Sequence, residues 1–355
     1  MSAQTSFPSA KKKILVIRRD NIGDLVCTTP LIHALRQRFP DARIDALVNS
    51  YNRPVLANNG DLDNVYSYTK AKHRNNDETV LGVHWRRAKL MIALRRIRYD
   101  YVILANCGFL TRPLNLARWV APEIIIGFVP PGKKISSINR PVLIDNAPRH
   151  EVENVFRLLE PLGIAGTPPA LQVHSSAEET AFALQTLGIS AEQAQTQTIV
   201  AIHISARKIP QRWPAEHFVA LIRALHADWD CRFLLLWSPG AEDNPLHPGD
   251  DGKAASIVAA TRELPVQAYP TTRLGALIGA LSICRAMICS DGGAMHVGAG
   301  LGLPLVSFFG NSDARTWYPW GVPKVVLQKP SRDVKDISVD EAVAAFRQLK
   351  LDAGF

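Results

Sequence analysis

The stretch from Cys289 to Gly300, CSDGGAMHVGAG, leaves this chain few ways to fold. An apolar run ending at Cys289 reads as a buried strand. Asp291, Gly292 and Gly293 then make a turn that leaves room for a ligand to touch backbone, and Ala294 to Leu301 continue as a helix of small residues. A strand that stops in a glycine turn and opens a helix is the joint of a parallel α/β unit, and the first free N–H groups of its helix suit a diphosphate. Taken alone, Asp291 reads equally well as a helix N-cap.

The same joint stands near the amino terminus, where the strand Lys13 to Arg18 runs through RRDNIGD into a helix over Leu25 to Phe39. Ligands collect beyond the carboxyl ends of such strands, and Asp24 falls in the first turn of that helix, where capping is the commoner fate of an aspartate. Strands at Arg43 to Asn49, Val65 to Tyr68, Tyr101 to Ala105 and Ile124 to Phe128 follow, with a helix over Val80 to Arg98. Pro130 to Pro148 reads as loop and His150 to Leu162 as a helix. After Gly163 to Pro169 the pattern repeats. Helices are predicted at Ala177 to Leu187, Pro214 to Ala227 and Leu274 to Ser282, strands at Thr198 to Ile204, Arg232 to Trp237, Ala286 to Cys289 and Pro304 to Phe308, and a last helix at Val339 to Leu349. Two α/β halves facing a cleft account for the 355 residues, with boundaries at 11–165 and 170–335 and a terminal helix at 338–351.

Composition narrows the function. No apolar run is long enough to span a membrane, and the residues after Lys13 are too few for an export signal, so a cytoplasmic protein is expected. The five cysteines are scattered and form no CxxC, which suggests neither a disulfide framework nor a zinc site. A net charge of +9 points to an anionic partner. The densest positive region is Lys70 to Arg98, where Lys70, Lys72, Arg74, Arg86, Arg87, Lys89, Arg95, Arg96 and Arg98 face only Asp77 and Glu78. It reads as a solvated helix face or as a patch for phosphates or acidic lipid. No G-x-G-x-x-G dinucleotide fingerprint occurs, and no helix-turn-helix, RNP or finger signature supports nucleic acid as a partner.

Four separated stretches together resemble glycosyltransferase family nine, the ADP-heptose:lipopolysaccharide heptosyltransferases: RRDNIGDLVCTTPLIHALRQRFP, HEVENVFRLLEPLGI, RWPAEHFVALI, and SDGGAMHVGAGLGLP followed by FFGNSD. The resemblance implies a GT-B fold of two Rossmann-like domains. The acceptor would sit on the first and the nucleotide sugar mainly on the second, with the terminal helix packing back toward the first. It further implies an inverting transfer of heptose from ADP-heptose to the Kdo/heptose inner core of lipopolysaccharide, at the cytoplasmic face of the inner membrane. A protein or another glycan as acceptor, or a GT-B-type sugar-nucleotide epimerase, are the alternatives.

Carried over by position, the resemblance makes Asp24 the catalytic base; Asn21 and Gly23 beside it, and Arg86, Arg87 and Lys89 of the basic segment in the half assigned to the acceptor, are the acceptor-side candidates. It makes Asp291, Gly292, Gly293 and His296 the centre of the donor site, with Glu242 on the ribose hydroxyls and Thr272 beside it. Relatives carry a phosphate-binding lysine two residues before the Trp-Pro of RWP, where this chain has Gln211. Arg212, or else Lys208, must then supply the charge. One carboxylate base, backbone amides and a cation suffice for inversion, so no metal and no separate cofactor are expected.

Overall fold

The computed structural model describes residues 11–68, 80–244 and 248–355. The first half contains strands β1 (Lys13–Ile17), β2 (Arg43–Asn49), β3 (Asn64–Tyr68), β4 (Tyr101–Leu104), β5 (Ile124–Val129) and β6 (Arg140–Leu143). Its helices are α1 (Ile22–Val26), α2 (Thr29–Arg38), α3 (Val80–Ile97), α4 (Thr111–Val120) and α5 (Glu151–Phe156). The second half contains β7 (Ile199–His203), β8 (Arg232–Trp237), β9 (Val266–Pro270), β10 (Ala286–Ser290), β11 (Leu305–Phe309) and β12 (Lys324–Gln328). Around them lie α6 (Ala177–Leu187), α7 (Ala191–Thr196), α8 (Ala215–Asp228), α9 (Asp251–Ala260), α10 (Leu274–Leu281), α11 (Gly293–Gly300), α12 (Ala314–Trp317) and α13 (Val339–Ala353).

Both sheets are parallel and carry the same doubly wound order, β3-β2-β1-β4-β5-β6 and β9-β8-β7-β10-β11-β12. The central strands are apolar on both faces because helices cover both. Ile14 and Val16 of β1 face one buried cluster while Leu15 and Ile17 face another. The first of these clusters runs without a break into the second half through Leu171, Val173, Met295 and Val297.

Several expectations need correction. The helix predicted over Leu25 to Phe39 is two helices, because Thr28 and Thr29 turn their hydroxyls onto the carbonyls of Asp24 and Val26 and Pro30 starts a new helix. His150 to Leu162 is an α-helix only to Phe156 and then a 3₁₀ turn carrying Pro161. Three edge strands, β6, β9 and β12, were not foreseen, nor were α4, α7 and α9. The terminal helix α13 does not pack back toward the first domain. Its Ala342, Phe346 and Leu349 join the core beneath Val200, Phe218 and Phe308, and Arg347 Nη2 bonds Asp228 at 3.1 Å, so it belongs to the second domain. In the basic segment, Lys70, Lys72, Arg74, Asp77 and Glu78 lie outside the described residues.

Candidate active site

The two joints singled out in the sequence meet across the cleft. Helix α1 follows the central strand of the first sheet, α11 follows the central strand of the second, and their first turns pack together. A Cβ on Gly23 would lie 2.6 Å from His296 Cδ2, and one on Gly293 would lie 3.1 Å from Ile22 Cβ. Gly23 thus leaves no room for a side chain where the helices touch, and a side chain at Gly293 would fit only if Ile22 gave way by a few tenths of an ångström. Gly293 thus has a packing role against Ile22 beside the backbone role expected of it. Gly292 has open space where its Cβ would stand, so the backbone there remains approachable.

Asp24 is held from several directions. Its Oδ2 accepts the backbone N–H and the side-chain amide of Asn21, each at 2.9 Å, and its Oδ1 accepts Arg18 Nη2 at 2.8 Å. Asp24 therefore does cap α1, and the same contacts orient the carboxylate. Arg18 is buried, and its Nη2 also binds Glu151 Oε1 at 2.8 Å while Nε faces Asp20 at 3.2 Å. Burial by itself lowers the pKa of a guanidinium, but Glu151 and Asp24, with smaller contributions from Cys107 and Asp20, reverse this and raise it. Neither Arg18 nor Glu151 was recognised from the sequence as part of the site. The available signal was the HEVENVF motif, whose second residue reaches back into the loop of the RRDNIGD motif.

His296 is buried against Gly23, with Nδ1 3.6 Å from Cys27 Sγ and its ring edge-on to Trp317. Burial, reinforced by His150, lowers its pKa to about 4, so the ring is neutral at ordinary pH. It shapes the α1–α11 contact from the interior.

The donor-side residues gather at the carboxyl ends of the second sheet. Asp291 follows β10, Gln211 follows β7, Glu242 follows β8, Thr272 is exposed after β9, and Ser312 follows β11. Gln211 is buried and donates its amide to Asp291 Oδ2 at 2.7 Å and to Ser312 Oγ at 2.8 Å. Burial raises the Asp291 pKa, and Ser312, the nearby Lys208 ammonium and Gln211 offset only part of the rise. Arg212, the first choice for a cation facing phosphate, is engaged elsewhere. Its Nη2 binds Asp250 Oδ1 at 2.5 Å and Glu242 Oε1 at 3.0 Å, and its Nη1 binds the Ala206 carbonyl at 3.1 Å. It anchors the loop that carries Glu242. Lys208 is exposed on this loop, as is Arg207, and its ammonium is near enough to Asp291 to favour the ionised carboxylate.

The basic segment divides. Arg87 lies 5.6 Å from the ring of Tyr68, and Arg19 lies 5.1 Å from the same ring. Burial lowers the Arg19 pKa, and the like charges of Arg87 and Arg112 lower it further. Three guanidiniums thus act on one another near Tyr68 at the edge of the first sheet, with Asp20 partly offsetting the repulsion. Lys89 instead lies 5.1 Å over Trp85 on the outer side of α3, and Arg86 is exposed. Among the described residues no cluster of three or more His, Cys, Asp or Glu is arranged to hold a metal ion, and no helix is long and apolar enough to cross a membrane.

The sequence profile of Glycosyltransferase family 9 (heptosyltransferase) matches residues 87–342, well over half of the chain. The chain belongs to glycosyltransferase family 9. Family 9 relatives include lipopolysaccharide heptosyltransferase 3 of Escherichia coli, 26% identical over 336 residues that cover 88% of this chain and 90% of the relative. The structure of E. coli ADP-heptose lps heptosyltransferase II superposes with a TM-score of 0.74 at 20% identity, covering 97% of this chain and 100% of the other. An E. coli heptosyltransferase solved with ADP gives a TM-score of 0.72 at 18% identity, with coverage of 95% and 99%. At these identities the solved structures show the shared fold, two Rossmann-like domains of the GT-B type, and the family match makes the protein a glycosyltransferase.

Proposed function

We propose that this family 9 enzyme transfers heptose with inversion from ADP-heptose to an anionic Kdo/heptose inner-core acceptor of lipopolysaccharide, met at the cytoplasmic face of the inner membrane. The observation that supports the reading is the packing of α1 on α11, since the helix that bears Asp24 touches the helix that opens beside Gly292, where no atom stands within 4 Å of a would-be Cβ. In this reading the amides at the start of α11 and Lys208 hold the diphosphate. Glu242, fixed by Arg212, binds the ribose hydroxyls beside Thr272, and Asp291 meets the sugar.

The acceptor hydroxyl attacks the anomeric carbon from the face opposite the diphosphate. Its proton passes to Asp24, the bond from the anomeric carbon to the leaving phosphate oxygen breaks, and the electron pair departs with ADP. Arg19, Arg87 and Arg112 take an acceptor phosphate. Neither a metal nor a separate cofactor is required, because amides and a cation meet the charge that grows on the leaving group.

The test is calorimetric binding of ADP, UDP, GDP and CDP, followed by transfer from ADP-heptose to deacylated inner-core acceptors. A clear preference for ADP and a product extended by one heptose are expected. Tighter binding of another nucleotide would overturn the donor assignment, and transfer to none of the core acceptors would overturn the acceptor assignment.

A further inference from the structure

The outer side of the first domain carries a surface that the transfer step does not use. Trp85, Lys89, Ile92 and Arg96 follow one another along α3 at steps of four, three and four residues, so they share one stripe of the helix. That stripe is turned outward, with Trp85 62% and Ile92 51% exposed. On the neighbouring α4, Trp119 is 67% exposed, and Arg95 Nη1 binds its carbonyl at 3.1 Å, which joins the two helices. From Val80 to Pro122 the sequence has Arg or Lys at eight positions and one carboxylate, Asp100. Asp100 is occupied by the backbone N–H of Lys13 at 2.7 Å.

Exposed tryptophans among cations, with no acidic side chain on the outer stripe among the described residues, have the chemistry of a lipid headgroup boundary. There the indole enters the interface while Arg and Lys meet lipid phosphates. A second copy of the same face would bring like charges together, which disfavours self-association through it. We propose that the α3–α4 face docks on an anionic bilayer, with Trp85 and Trp119 entering the headgroup layer. This deepens the reading of an acceptor met at the membrane by naming the surface that lands there.

The test uses the full chain and phosphatidylcholine vesicles with and without phosphatidylglycerol, read by co-sedimentation and by quenching of tryptophan fluorescence with brominated lipid. The parent should bind the anionic vesicles and be quenched. Trp85→Ala/Trp119→Ala should bind about tenfold more weakly and lose most of the quenching. Arg96→Glu/Arg118→Glu, at exposed arginines of α3 and α4, should also bind at least about tenfold more weakly, with the difference shrinking as salt rises. Circular dichroism checks that the exposed substitutions leave the fold intact. Equal binding of parent and both variants to anionic vesicles would overturn the proposal. So would a parent that sediments as a dimer which the tryptophan variant breaks while still binding vesicles. Vesicle binding is read without donor or acceptor, so failure of the nucleotide or transfer assays leaves it standing.

Discussion

Gly23 lies so close against the imidazole of His296 that one added carbon would stand 2.6 Å from His296 Cδ2. The ring cannot easily retreat, since it is buried with Cys27 Sγ 3.6 Å from its Nδ1. Gly23→Ala should therefore push α1 away from α11 and destabilise the protein by about 1–3 kcal/mol. Turnover should fall as well, because Asp24 rides on the same helix. Denaturant unfolding and kcat, measured together, check this; an unchanged midpoint would mean that the two helices separate without cost.

Asp24→Asn removes the base while keeping a side chain that can lie in the same place. Turnover should drop by about a hundredfold to ten-thousandfold, with ADP affinity close to that of the parent. Weakened ADP binding with turnover retained would assign Asp24 to the donor rather than to the proton.

Lys208 and Arg212 should separate cleanly. Lys208→Ala is expected to weaken ADP binding by about tenfold to a hundredfold, the contribution of one charge-assisted contact, with little change in stability. Arg212→Ala leaves the fully buried Asp250 carboxylate without its guanidinium, at a cost of up to about 3–5 kcal/mol, and releases Glu242. Thermal unfolding together with ADP titration of both variants decides it. If Lys208→Ala binds like the parent, the loop does not reach the diphosphate.

Three buried imidazoles, His150, His203 and His296, have pKa values lowered to about 4 by burial, against 6.5 when free. Between those values the unfolded chain holds protons that the folded chain does not, so stability falls as pH drops through that window and is flat above it. The raised Asp291 and Asp250 carboxyls act in the opposite direction and soften the fall. Denaturant midpoints should hold level between about pH 6.5 and 8, where the lowered Lys253 begins to titrate, and decline below about pH 6.5. A midpoint that stays level down to about pH 5 would falsify the buried, neutral state of these rings.

The joints were legible because a strand, a glycine turn and a helix leave a local signature, and both central strands are apolar on both faces. The edge strands β6, β9 and β12 were not: β6 has three of its four residues exposed and β12 is only half-buried throughout, so neither carries a clear hydrophobic signal, and Pro141 also speaks against a strand until its position at the sheet edge is known. The placement of α13 depends on Phe346 and Leu349 finding the second core, a choice that their spacing does not encode. The diphosphate cation was assigned to Arg212 from its place beside Trp213. Its engagement by Asp250 could not be seen, since 38 residues separate the pair. Arg18 and Glu151 escaped notice for the same reason, being 133 residues apart.

His150 and Glu151 are adjacent in the chain yet look in opposite directions. His150 Nε2 lies 2.8 Å from the carbonyl of Tyr318, and its ring packs on Tyr318 and Trp320 of the second domain, whereas Glu151 grips the arginine that orients Asp24. One peptide bond thus joins the contact with Tyr318 to the Glu151–Arg18–Asp24 chain of hydrogen bonds. A substitution at Tyr318 or Trp320 is therefore expected to loosen the hold of Arg18 on Asp24 from a distance, and in the proposed reaction to lower turnover while ADP affinity stays near that of the parent.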